Sequence, residues 1–142
     1  MTYESTSMGQ TTLRIGEIAE RVGLSLRSVR FYEEEGLITP EGRTEGGFRL
    51  YTDEHVERLR LIMHMKPLGF SVQEMRELLD TRDALIASAP GRNGYDEAYG
   101  DFSQFVEAAT KRVAELRETL TTAESFAAKL RREVANPSSL SR

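Results

Sequence analysis

Residues 13–51, LRIGEIAERVGLSLRSVRFYEEEGLITPEGRTEGGFRLY, decide the fold. Ile15, Ile18, Ala19 and Val22 fall at i, i+3, i+4 and i+7, the spacing of one apolar helix face. Gly23 follows, a residue that adopts the left-handed backbone of a helix stop at little cost. Ser25 is an N-cap for a second helix, Leu26 to about Glu34. Leu26 and Val29 are expected to point inward, and Arg27, Ser28 and Arg30 outward. Gly36-Leu37-Ile38-Thr39-Pro40 breaks this helix and leads the chain away.

The Gly46-Gly47 pair then lets the chain reverse in a small basic hairpin. Phe48 and Tyr51 are expected to anchor it, with Arg43 and Arg49 facing a phosphate backbone. Two short helices joined by a tight turn and followed by a hairpin are the layout of a winged helix-turn-helix. That device sets one helix in the DNA major groove. Arginine forks match both phosphates and the acceptor edge of guanine, so Arg27 and Arg30 are the candidate base readers. Ser28 joins them through a phosphate or a base edge.

Three linked blocks carry a resemblance: VRFYEEEGL, RTEGGFRLY and the later LGFSVQEMRELL. In this order and separation they resemble the DNA-binding head of the MerR family of bacterial transcription regulators. The resemblance covers Leu13 to Leu79, roughly half the chain. It places Tyr32 near the DNA backbone, although Tyr32 could equally close the core of the head. It also implies a dimer on a promoter whose spacer is overlong. Twisting and bending that spacer aligns the promoter elements for RNA polymerase, so specificity includes DNA deformability.

The chain has 142 residues and a formal net charge of −4. Residues 1–66 hold nine basic and eleven acidic residues, so the head is not a basic domain. Local arrangement must supply the electrostatics: Arg27, Arg30, Arg43 and Arg49 toward DNA, Glu33, Glu34, Glu35 and Glu41 away. There is no cysteine, which excludes disulfides and thiolate metal sites. No run approaches the ~20 apolar residues of a membrane helix, and a cytoplasmic location is expected. The polar residues 1–12 read as a disordered arm without a signal peptide.

Thr52 or Asp53 should cap a helix from about Glu54 to Lys66, ended by Pro67. Ser71 with Glu74 forms a capping box for a helix over about Val72 to Asp80. Arg58 and Arg60 are either phosphate ligands or solvated charges, and Asp80 to Asp83 read as solvated helix ends. These elements close a head over residues 13–80.

Periodicity weakens over residues 81–100, which read as a linker and possible effector region. From residue 101 to 135 a long helix is expected. Val106, Ala109, Val113, Leu116, Leu120, Ala123, Ala127, Leu130 and Val134 alternate spacings of three and four, a heptad seam. Such a stripe needs a partner helix, and a homodimer supplies one. The resemblance implies antiparallel pairing. Residues 136–142 read as a disordered tail.

The expected fold is therefore dominated by α-helix: a winged helix-turn-helix head, a helical pair and a long coiled-coil dimerisation helix. Metal-sensing members of the family use cysteines near this helix, so no metal or other cofactor is expected. His55 and His64 read as surface histidines. The chain ends about eight residues beyond the seam, leaving no room for the large effector domain of drug-sensing members. Tyr95, Tyr99, Phe102 and Phe105 either line a pocket for a small-molecule effector or pack the helix onto its neighbour. Rival readings are an excisionase-like DNA-architectural protein, which usually lacks a long dimer helix, and a simple repressor without effector. No nucleophile, phosphate loop or His–carboxylate constellation suggests an enzyme.

Overall fold

The computed structural model describes residues 12–141, so the arm expected over 1–12 lies outside the described residues except for Thr12. Helix α1 spans Ile15–Val22 and buries Ile18, Ala19 and Val22. It stops at Gly23, where φ is 80° and the N–H donates to the Ala19 carbonyl. Helix α2 spans Leu26–Glu34, and the Ser25 hydroxyl accepts from the Ser28 N–H at 3.1 Å. A single N-cap bond of this kind stabilises a helix by about 1 kcal/mol.

Strands β1 (Gly42–Arg43) and β2 (Arg49–Leu50) pair antiparallel, Gly42 opposite Leu50 and Arg43 opposite Arg49. The turn between them uses Gly47 at φ 87°. Leu13 bridges to Tyr51 through two 2.7 Å backbone hydrogen bonds, tying the start of the head to the end of the wing. Tyr51 is fully buried, as expected for an anchor, whereas Phe48 is exposed.

Helix α3 spans Asp53–Met65 with Thr52 as its cap. The Thr52 N–H donates to His55 Nδ1 at 2.9 Å. His55 is therefore a buried capping partner, contrary to the expected surface histidine. A short 3-10 turn, Lys66–Leu68, contains Pro67 and ends at Gly69. Helix α4 begins at Val72 with the expected capping box between Ser71 and Glu74.

Helix α4 continues to Ala87, past the expected end at Asp80. Tertiary ion pairs on its added turns explain the extension. Arg58 of α3 donates to Asp83 at 2.7 and 2.9 Å, and Arg82 reaches Glu54 at 3.1 Å. Asp83 is therefore a packing contact rather than a solvated end. The expected linker over 81–100 shrinks to a loop between Ala87 and Tyr95.

Helix α5 spans Tyr95–Ala135, so it starts six residues before the expected 101 and contains Gly100. Its N-cap is Gly94, at φ 85°. A helix of 41 residues extends about 60 Å at 1.5 Å per residue. Its first part packs on the head through Phe105, Ala108 and Ala109. Arg112 donates to Glu74 at 3.0 Å and lies over the Phe70 ring. Beyond that point the seam is bare: Leu120 is 57% and Val134 77% exposed. The segment Pro137–Ser141 forms a 3-10 turn where a disordered tail is expected.

The core gathers Ile18, Val29, Leu37, Ile38, Tyr51, Leu59, Ile62 and Leu79, all essentially inaccessible. It lies among α1 to α4 and holds α2 and the wing at its surface.

Candidate nucleic-acid interface

Helix α2 is anchored by Val29 and Tyr32, its two buried residues. Burying them turns Arg27 and Arg30 outward, and both are exposed, with Ser28 half-buried between them. Neither arginine makes an ion pair with a described residue. Arg30 does influence Tyr51 electrostatically. Leu26 is 42% exposed rather than inward, because the first turn of α2 projects past the core. Tyr32 takes the core alternative, its ring set edge-on to Phe31 at 5.4 Å.

Sequence reasoning missed two members of this surface. Phe31 is 43% exposed, four residues after Arg27 and so on the same helix side. Lys66 joins Arg27, Ser28, Phe31 and Ser71 around an open hollow of about 470 Å³ between α2 and the start of α4. Its position just before Pro67 was the available signal, since a helix end at the proline leaves the lysine beside the next turn.

The wing is docked on α2 by a charged bracket. Glu33 receives the Tyr51 hydroxyl on Oε1 and pairs through Oε2 with Arg49 Nε at 3.0 Å. Glu33 therefore faces the wing rather than turning away, and Arg49 is partly neutralised. Burial, followed by the hydrogen bond to Glu33 and its charge, pushes the Tyr51 phenol well above its ordinary range. Arg43 folds onto the turn, with Nη1 donating to the Gly47 carbonyl at 2.9 Å. Phe48 stays 53% exposed beneath the Arg14 guanidinium, which lies 4.3 Å from the ring centroid.

Below the wing, burial lowers the His55 pKa, opposed by the Thr39 backbone and by Glu41 and Glu54 and reinforced by Arg58. Arg58 is not available to phosphate. It donates through Nε to the Leu37 carbonyl at 3.1 Å and is held by Asp83. Arg60 is exposed and meets Glu57 at 3.5 Å.

The four aromatic residues of α5 do not converge. Tyr95 and Tyr99 stack at 6.1 Å, Tyr99 is largely exposed, and Phe105 packs against the head core. The neighbouring hollow of about 510 Å³ is lined instead by Ala87, Ser88, Ala89, Arg92 and Asn93.

A short helix with free arginines, braced against a cationic hairpin on a small helical core, is a winged helix-turn-helix DNA-binding head. Residues 13–82 match the family model of the MerR HTH family regulatory proteins. ZntR of Escherichia coli K12, an HTH-type transcriptional regulator, is 38% identical over 104 residues, covering 73% of this chain and 70% of ZntR. The chain belongs to the MerR family and is a DNA-binding transcriptional regulator rather than an enzyme.

Among solved structures, HiNmlR, a MerR family regulator lacking the sensor domain and bound to promoter DNA, superposes with a TM-score of 0.68. It is 27% identical, covering 89% of this chain and 96% of HiNmlR. The regulator PbrR691 of Ralstonia metallidurans CH34, in complex with lead(II), gives a TM-score of 0.55 at 32% identity, covering 85% of this chain and 87% of PbrR691. The donor set here does not fit such an ion. The chain has no cysteine, and among the described residues no three His, Asp or Glu side chains are grouped to hold a metal. No helix of the described residues is long and apolar enough to cross a membrane.

Proposed function

We propose that the chain acts as a homodimer on double-stranded promoter DNA, with α2 of each copy in the major groove and the wings on the flanking backbone. The observation that carries this is the pair of uncommitted arginines, Arg27 and Arg30, on the exposed side of a helix braced by the wing. Arg27 and Arg30 read base edges and Ser28 supports them. Arg43 meets phosphate, and Phe48 and Arg49 shape the wing. Tyr32 contributes by packing.

The bare seam of α5 supports the dimer. Leu116, Leu120, Leu130 and Val134 expose a continuous apolar stripe that a second copy would cover. Two heads on one duplex would distort an overlong promoter spacer, and RNA polymerase would be affected through the DNA. A small-molecule effector, if one acts, would need a site other than a shared pocket of Tyr95, Tyr99, Phe102 and Phe105. The working compartment is the cytoplasm.

The test is a footprint of the purified protein on the promoter DNA beside its own gene. Protection centred between the promoter elements, across an overlong spacer, supports activation by distortion. Protection overlapping a normally spaced promoter replaces it with repression by occlusion.

A further inference from the structure

Arg14 is a cation that neither α2 nor the hairpin accounts for. It is held in place on both sides along the chain. Its N–H donates to Glu17 Oε1 at 2.7 Å, and its neighbour Leu13 is bridged to Tyr51. Its guanidinium crosses to the wing, with its carbon over the Phe48 ring at 4.3 Å from the centroid.

Among the described residues Arg14 makes no ion pair. The hairpin arginines are more committed, Arg49 to Glu33 and Arg43 to the Gly47 carbonyl. Open hollows of about 540 and 400 Å³ flank Arg14. The first also touches Arg43 and Thr44, the second Phe48 and Arg49.

A cation–π contact uses none of the guanidinium N–H groups as hydrogen-bond donors to a polar partner, so they remain available. Those donors bind phosphate in a fork. Contact with the ring also restricts the long side chain before any ligand arrives, so less rotamer freedom is lost on binding. An exposed phenylalanine with an arginine guanidinium over its ring is thus a platform for a phosphate ligand.

We propose that Arg14 is a DNA-backbone ligand of the wing and that Phe48 is its platform. The proposal rests on the reading that the wing faces DNA. It adds to the interface a residue from before α1, outside the helix-turn-helix and hairpin.

The experiment measures binding of the full chain to its footprinted duplex between 50 and 200 mM salt. Each neutralised phosphate contributes about 0.9 to the slope of log affinity against log salt, so two copies of Arg14→Gln should reduce the slope by about 1.8. An unrelated duplex should lose affinity by the same factor. Arg14→Lys keeps the slope and part of the affinity. Phe48→Leu weakens binding with the slope intact, and adds nothing in the Arg14→Gln background. A wild-type slope for Arg14→Gln, with or without a lowered melting temperature, overturns the proposal and leaves Arg14 as a brace. Arg27→Ala, run in parallel, separates the two levels. If it keeps full affinity and selectivity, the placement of the head itself fails. If it loses selectivity while the Arg14→Gln slope stays unchanged, only the role of Arg14 fails.

Discussion

Glu33→Ala removes both halves of the bracket between α2 and the wing, and the geometry sets the size of the loss. The Tyr51 ring is fully buried and its hydroxyl donates to Glu33. Deleting the acceptor strands a buried donor, at a cost of about 1–3 kcal/mol. The ion pair to Arg49 is partly exposed, with side-chain accessibilities of 16% and 40%, so it adds about 1 kcal/mol at most. Glu33→Ala should therefore destabilise the fold by about 1–4 kcal/mol. Glu33→Gln keeps an acceptor for Tyr51 and should lose about 1 kcal/mol or less. Urea denaturation followed by circular dichroism, at one fixed protein concentration, measures both. Tyr51→Phe supplies the decisive control. In that background no donor is stranded, so Glu33→Ala should cost little more than the ion pair. Equal losses for Glu33→Ala and Glu33→Gln, or no relief from Tyr51→Phe, would refute the assignment of the stability to the Tyr51 hydroxyl.

Arg27→Ala should cost about 1–3 kcal/mol of specific binding and relax selectivity at one base of each half-site, measured with a panel of single-base operator variants. Leu120→Lys places charges in the bare seam and should shift sedimentation from dimer to monomer while helix content is largely retained; an unchanged dimer would remove α5 from the interface. His55 is held neutral in the folded state, with a pKa below the ordinary 6.5. Below about pH 6.5 the unfolded chain therefore binds a proton that the folded chain refuses, and stability falls with falling pH by at most about 1.4 kcal/mol per unit. His55→Asn keeps an acceptor for the Thr52 N–H and should flatten that slope between pH 7.5 and 5.5 in denaturation midpoints.

The head was legible because its signals are local. The apolar spacing of α1, Gly23, the Ser25 cap and the Ser71–Glu74 box all act within about two helical turns, and each appears in the structure. The end of α4 was not legible, because Arg58–Asp83 and Arg82–Glu54 join residues 25 and 28 apart in sequence. Nothing in local periodicity reports such pairs. The exposed arginines of α2 could be read from the inward positions of their neighbours. The allegiance of the charges could not: Glu33 belongs to the wing, and Arg58 to α4 and the Leu37 carbonyl. The inward reading of Leu26 failed at a helix end, where periodicity persists after the core has stopped.

In the proposed dimer, the part of α5 that leaves the head would also serve as a ruler. From Leu116 to Ala135 it overhangs by about 20 residues, or about 30 Å at 1.5 Å per residue. Two such overhangs paired antiparallel along their whole length would set the heads apart by nearly that distance, close to the roughly 34–36 Å of one DNA turn. Half-site spacing is then written in helix length. Adding or removing one heptad, about 10 Å, would regauge the protein by about three base pairs while every DNA-contacting residue stayed the same.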